Sequence, residues 1–189
     1  MFLARRPSAG AIDRFLRESQ DLPLSYGPVG IAGTGADGWT FDEATGVIGH
    51  GQADYERARA ALRTWTQFDL GWVEMFPRHA PVAAGTVVAV LFRHLGFWSL
   101  NGCRVVYEVG SGTDGPLCGF AYGTLPNHAE AGEELFEVFL DPPTGDVVYR
   151  LRAASRPRAA LARLGKPIVR ALQARFRRDS LVAMTRVTP

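Results

Sequence analysis

The chain has 189 residues, 47% of them hydrophobic and 21% charged, with a formal net charge of +2. That length and composition exclude a disordered chain and suffice to bury one sizeable core. Two cysteines, Cys103 and Cys118, make neither a disulfide framework nor a metal site, so they read as reduced, buried thiols of a cytoplasmic protein. Met1 to Pro7 lacks the apolar core of a secretory signal, and the longest apolar run, Thr86 to Phe92, is far too short to span a bilayer. In chain order, Ser8 is placed to cap a short amphipathic helix with Ile12, Phe15 and Leu16 on one stripe and Asp13 four residues before Arg17. Pro23 ends it, and the Gly- and Pro-rich stretch from Leu24 to Asp37 is a connecting arm. Trp39 to Gly49 is weakly patterned as a first strand or hairpin.

A clearer helix follows. Asp54 is its expected cap, and Tyr55, Ala58, Leu62 and Trp65 recur at helical spacing. Arg57, Arg59 and Arg63 lie off that stripe, on a solvated basic face. Phe68 to Phe76 reads as a strand with Phe68, Leu70 and Trp72 on one side, and His79 falls in a Pro-bracketed loop.

From Thr86 onward strands follow one another. Thr86 to Phe92 has the continuous apolar character of a centrally buried strand. In Trp98 to Val109, alternation puts Cys103, Val105, Tyr107 and Val109 on one face with Asn101, the last being either a strand-end residue in water or a hydrogen-bonding group of a cavity. Gly110 to Pro116 is a Gly-rich turn.

The stretch from Gly119 to Val138 holds the densest set of reactive groups: Tyr122, Thr124, His128, Glu130, Glu133 and Glu134. Gly119, Ala121 and Gly123 share one strand face, a sign that something large comes close to the backbone there. The next hairpin can be put in register. With a loop from Asp141 to Asp146, Leu140 opposes Val147, Val138 opposes Tyr149, Phe136 opposes Leu151 and Glu134 opposes Ala153 on the apolar face. Glu137 then opposes Arg150 on the other face, which also carries Glu133 and Arg152 toward solvent.

The chain closes on a basic segment, Arg156 to Arg186, with nine Lys/Arg against one acid, Asp179. Pro157 favours a helix start, Leu161, Leu164, Ile168, Leu172 and Phe176 keep a helical stripe, and Pro167 is expected to kink it. The order of elements gives an α+β protein: an antiparallel sheet of about six to seven strands with a long C-terminal helix across it. It is read as one domain: residues 1–37 as N-terminal helix and arm, 38–155 as sheet with one inserted helix, and 156–186 as the kinked helix.

No established zinc spacing appears among His128, Glu130, Glu133 and Glu134, and no metal or cofactor is expected. Ser155 lacks the glycine pattern of a nucleophile elbow, and the Gly-rich stretches do not match a phosphate loop before a helix. His128 with Glu134 is the better acid–base pair, weighed against a structural role in which the two brace their loop by hydrogen bonds. Strand parity places a site beside this stretch, with Tyr122, His128 and Glu134 at its polar end and Tyr107 and Tyr149 among its walls. Tyr122 can face either way, and Arg156 is placed to meet Glu134 or an anionic ligand.

Several groups of residues carry a resemblance. Phe120-Ala121-Tyr122-Gly123-Thr124-Leu125-Pro126 with His128 and Gly132-Glu133-Glu134, the tail Ser155-Arg156-Pro157, Arg175-Phe176 and Asp179-Ser180, and Asn101-Gly102-Cys103-Arg104-Val105 together resemble an uncharacterised bacterial and plant family defined only as a domain of unknown function. The likeness covers nearly the whole chain and brings no mechanism with it. The order of strands and helices also resembles the helix-grip superfamily of START domains, pollen-allergen-like ligand binders and polyketide cyclases. That resemblance implies a sheet curved around the C-terminal helix with a cavity between them. The resulting expectation is a small hydrophobic or amphipathic ligand in that cavity. A cyclase-, isomerase- or hydrolase-type enzyme using the same cavity is the first alternative. Association of the basic helix with nucleic acid or an anionic membrane is the second; nucleic acid is disfavoured because no aromatic platform interleaves with the arginines.

Overall fold

Alternating apolar residues with tight turns between them build a meander, and the described residues of the computed structural model, 2–110, 115–157 and 166–188, follow that pattern. Strands β3 (Val73–Phe76), β4 (Val87–His94), β5 (Phe97–Val109), β6 (Leu117–Thr124), β7 (Glu130–Leu140) and β8 (Asp146–Pro157) pair in sequence order, all antiparallel. The earlier strand β2 (Thr40–His50) pairs with β8, giving the order β2-β8-β7-β6-β5-β4-β3. A two-residue strand, β1 (Phe2–Leu3), lies beside β5. The sheet curls into a half-barrel around the C-terminal helix, the α+β, helix-grip-like arrangement expected from the order of elements.

Helix α1 (Ala9–Ser19) starts at Ser8, whose hydroxyl accepts from the Ala11 N–H. A short turn of helix, α2 (Ile31–Thr34), lies within the arm. Helix α3 (Gly51–Arg63) begins four residues earlier than Asp54 as its cap implies, with His50 in the cap position. Asp54 sits inside its first turn and reaches back to accept from the His50 N–H at 2.7 Å. The long helix α4 runs from Lys166 to Thr185. Pro167 falls in the first turn of that described helix, where a missing N–H costs nothing. Leu161 and Leu164, with the rest of 158–165, lie outside the described residues.

The concave face of the sheet is the main core. Val88, Val90, Cys103, Val105, Phe120, Tyr122, Phe136, Val138, Tyr149 and Leu151 point inward and are buried against α3, α4 and the aromatic residues that follow α3. Those aromatics correct one expectation. Phe68 does not open a strand: Trp65 adopts a left-handed conformation (φ 63°), Thr66–Phe68 forms a single 3-10 turn, and β3 starts only at Val73. The turn drops Phe68 into the core, with ring centroids 5.9, 5.5 and 5.3 Å from Tyr122, Phe136 and Phe176.

The convex face is covered as well. α1 packs Ile12 and Phe15 on Ala89, Leu91 and Leu100, while the arm and α2 pack Tyr26, Ile31 and Ala32 on Ala121, Ala131, Leu135 and Ala154. Glu133 and Glu137 do face this side, as the register required, but they are buried rather than solvated. Glu137 holds Arg150 and Arg152, each at 3.0 Å. Glu133 accepts from Tyr26 Oη, Tyr107 Oη and the N–H groups of Gly30 and Ala32. The large group at the small-residue face of β6 is therefore the chain's own Tyr26, whose ring a Cβ at Gly123 would overlap.

The β7–β8 register is the one read from the sequence, with Leu140 opposite Val147 and Glu134 opposite Ala153. On β5 parity breaks. The pairing with β6 shifts between Val105 and Tyr107, so Val106 is an extra residue and the side chains beyond it change face. Val105 stays concave opposite Tyr122, whereas Tyr107 opposes Ala121 on the convex side. β8 also runs through Pro157, so this proline ends a strand and does not start a helix.

Candidate functional site

Between the concave face and the first turns of α4 lies a cavity of about 260 Å³. Its apolar wall is Trp72 and Phe92 from the sheet side with Ile168, Val169, Leu172 and Phe176 from α4. Its polar wall comes from β5, β6, β7 and the loop that joins the last two: Asn101, Tyr122, Thr124, His128, Glu130 and Glu134. The 3.6-residue period of the helix and the two-residue period of the strands bring these groups together, since both elements turn one face to the same space.

Glu134 and Tyr122 are cross-strand partners, and Tyr122 Oη donates to Glu134 Oε2 at 2.5 Å. Among the described residues, no hydrogen bond reaches the other carboxylate oxygen. Burial pushes the Glu134 carboxyl up to about 7, and the Tyr122 hydrogen bond offsets part of that rise. Burial, followed by the charge of Glu134, holds the Tyr122 hydroxyl well above the usual phenol range. A carboxyl of this kind is partly protonated at neutral pH, so it can either donate or accept a proton at the cavity wall.

His128 bends over the loop. Its Nδ1 lies 3.0 Å from both the Glu130 N–H and the Glu130 carbonyl oxygen, so the ring is fastened to the backbone of the residue that opens β7. Glu130 itself accepts from Gln173 Nε2 at 2.5 Å, and Gln173 also reaches Ser155 Oγ at 3.2 Å. Burial raises the Glu130 carboxyl, with Gln173 and Arg170 working against it. Beside this group Arg170 makes a two-pronged contact with Asp42, and Arg177 joins Asp42 at 3.1 Å. These contacts tie α4 to β2 and β7 at one edge of the cavity.

Asn101 resolves to the second of its two readings. It is 3% exposed, lies in the cavity wall, donates to Ser99 O at 3.2 Å and accepts from the Ala129 N–H at 3.3 Å. Of the candidate site residues, Tyr122, His128 and Glu134 line the cavity. Tyr107 does not, because the bulge turns it to Glu133 on the convex side. Tyr149 is fully buried on the concave side and bonds Ser180 of α4 at 2.7 Å, so it fastens helix to sheet rather than facing the space. Arg156 lies on β8 itself and stacks over Trp39 at 4.4 Å, far from a pairing with Glu134. Sequence reading missed Gln173 and Asp42. Gln173 adjoins Leu172 at the rim of the apolar stripe, a polar residue at a helical contact position. Asp42 carried no signal in a weakly patterned strand.

Among the described residues no three His, Cys, Asp or Glu side chains come together as a metal site, and no helix is long and apolar enough to cross a membrane.

A family model described as a domain of unknown function (DUF1990) matches residues 25–183. A UPF0548 protein of Dictyostelium discoideum is 32% identical over 95% of this chain and 92% of its own length. A UPF0548 protein of Deinococcus radiodurans is 36% identical over 93% and 92%. Among solved structures, the Zhui aromatase/cyclase from Streptomyces sp. R1128 superposes with a TM-score of 0.53 at 17% identity, covering 78% of this chain and 92% of that one. TTHA0849 from Thermus thermophilus gives the same TM-score at 11% identity, over 78% and 96%. At those identities the structural likeness speaks for the fold alone.

Proposed function

The chain belongs to the DUF1990 family, and from the geometry of its cavity we propose that it binds a small hydrophobic or amphipathic molecule between the sheet and α4. One observation carries this reading. A space of about 260 Å³ has an apolar wall on the helix side and, on the sheet side, the Glu134 carboxyl, which among the described residues has a hydrogen bond to only one of its two oxygens. A dry cavity of about 150 Å³ takes up benzene, so this one suits a molecule of one or two rings. Trp72, Phe92 and Phe176 supply the apolar contact, while Glu134 with Tyr122 orients a polar head. His128 shapes the loop over the polar end. The ligand-binding set proposed here is Tyr122, His128 and Glu134, without Tyr107, Tyr149 and Arg156.

Native mass spectrometry of the purified protein tests the proposal. The expected result is a small-molecule adduct that is lost on denaturation and is absent from a cavity-filling Val169→Trp variant. If neither a co-purified molecule nor any of a set of one- and two-ring compounds binds, and Val169→Trp leaves thermal unfolding unchanged, ligand binding is excluded.

A second reading, an acid–base enzyme of cyclase, isomerase or hydrolase type, rests on Glu134. A carboxyl poised at about 7 can move a proton at neutral pH. Turnover of a bound compound that follows an ionisation near that value, and that Glu134→Gln abolishes with binding intact, would promote it over simple binding.

A further inference from the structure

Building on the ligand-binding reading, we infer that the cavity selects a small aromatic amine in its cationic form over a carboxylate or phosphate. The argument is the charge arrangement at the cavity's polar end. Two acid side chains, Glu130 and Glu134, and two histidines, His94 and His128, face the space, and among the described residues no lysine or arginine lines it. Glu133 contributes backbone only, since its carboxylate is turned to Tyr26 and Tyr107 on the other face.

The nearest guanidinium groups, Arg170 and Arg177, are both committed to Asp42. Asp42 and Glu130 together balance these two arginines, and Gln173 caps Glu130. That leaves Glu134 without an ion pair of its own: the field of Arg177 reaches it and favours its charged form, but the Arg177 guanidinium is bound to Asp42, and Glu130 and Asp42 act on Glu134 in the opposite direction. Its one described hydrogen bond comes from a neutral phenol. Tyr149, Cys103, Ser155 and Asn101 carry no positive charge, and the one cation whose field reaches Glu134 among the described residues, Arg177, spends its contact on Asp42. An arriving ammonium completes the balance by pairing with the second oxygen of Glu134, which gives up its proton to solvent as it ionises. An arriving anion meets two carboxyls and, among the described residues, no lysine or arginine in the wall.

The aromatic wall acts in the same direction. Trp72, Phe92 and Phe176 line the space, and aromatic rings of this kind attract a cation that reaches their faces. A flat ring with a short aminoalkyl arm would lie against the wall that Phe92, Leu172 and Phe176 form together and carry its nitrogen to Glu134.

Three probes sharing one ring separate head-group preference from binding as such: phenethylamine, phenylacetate and phenethyl alcohol, titrated by ligand-observed NMR. At about pH 8 the amine is expected to bind at least about tenfold more tightly than phenylacetate, with the alcohol between them. Its advantage should shrink as the pH falls toward about 5.5, because Glu134 is then protonated before the ligand arrives. Glu134→Gln should erase the difference between amine and acid while leaving the alcohol nearly unchanged. Phenylacetate binding as well as the amine, or an amine preference unaffected by both pH and Glu134→Gln, overturns the inference and leaves the cavity as a ligand site. Failure of all three probes to bind counts against the ligand-binding reading itself. Should Glu134→Gln fail to fold, the amine-to-acid ratio in the unaltered protein and its pH dependence decide the matter alone.

Discussion

Glu134 is the carboxyl at the polar end of the proposed site. Its folded pKa, about 7, lies above the ordinary value of 4.5, so the folded state favours the protonated form. The contribution is fully present below the unfolded pKa and is lost as pH rises through about 7. The molecule should therefore lose stability between about pH 5 and pH 8. Glu134→Gln should flatten that fall, standing on the order of 2–3 kcal/mol above the unaltered protein's relative stability at pH 8. Urea unfolding at several pH values measures it; a parallel pH dependence in the two proteins would refute the assignment. Glu133, one residue earlier, is the opposite case. Four donors saturate it on the convex face, and its role is to hold the arm. Tyr26→Phe removes one charge-assisted donor and should cost roughly 1.5–3 kcal/mol, with faster hydrogen exchange confined to the arm and α2.

Helix α4 has two functions along its length. From Phe176 onward it is core: Phe176, Ser180, Ala183 and Met184 are buried. Toward its start it is the cavity's roof, and Ile168 is 49% exposed there. The stripe read from sequence treated Ile168 and Phe176 alike. Phe176→Ala is expected to cost roughly 3–5 kcal/mol, whereas Ile168→Ala should fall within about 0.5 kcal/mol. Leu172, half-buried between them, belongs near the low end of the cost of a leucine truncation, about 2 kcal/mol. Denaturant midpoints of the three variants rank these values, and an equal cost at 168 and 176 would show that the helix is packed along its whole length.

At the scale of the whole molecule, the basic tail meets acids of its own chain. Arg170 and Arg177 bind Asp42, and Arg175 and Arg178 bind Asp179, which also accepts from the Trp72 indole. These pairs set two aspartates against four arginines, which engages the guanidinium groups and halves the charge of the row that α4 would otherwise offer to phosphates. Labelled DNA or RNA titrated by fluorescence anisotropy at about 0.15 M salt should show no sub-micromolar complex, and any weak binding should fall steeply with added salt. A tight, salt-sensitive complex would restore the nucleic-acid reading.

The β7–β8 hairpin shows how much the chain order carries. A two-residue side-chain period and a tight loop leave one register that buries Phe136, Val138, Tyr149 and Leu151 together, so pairing and facing both follow from local pattern. The meander, the inserted helix and the helix across the sheet are legible for the same reason: each depends on neighbours a few residues apart. The cavity edge and the convex cover depend on meetings between distant residues. Asp42 meets Arg170 across 128 positions, and Tyr26 meets Glu133 across 107. No periodicity records such pairs, because a weakly patterned strand and a Gly- and Pro-rich arm take their places only once the sheet exists to receive them. Tyr107 fails for a smaller reason. One extra residue at Val106 inverts every side chain beyond it, and in the unbroken run Val105-Val106-Tyr107 no change of residue type marks where the bulge falls.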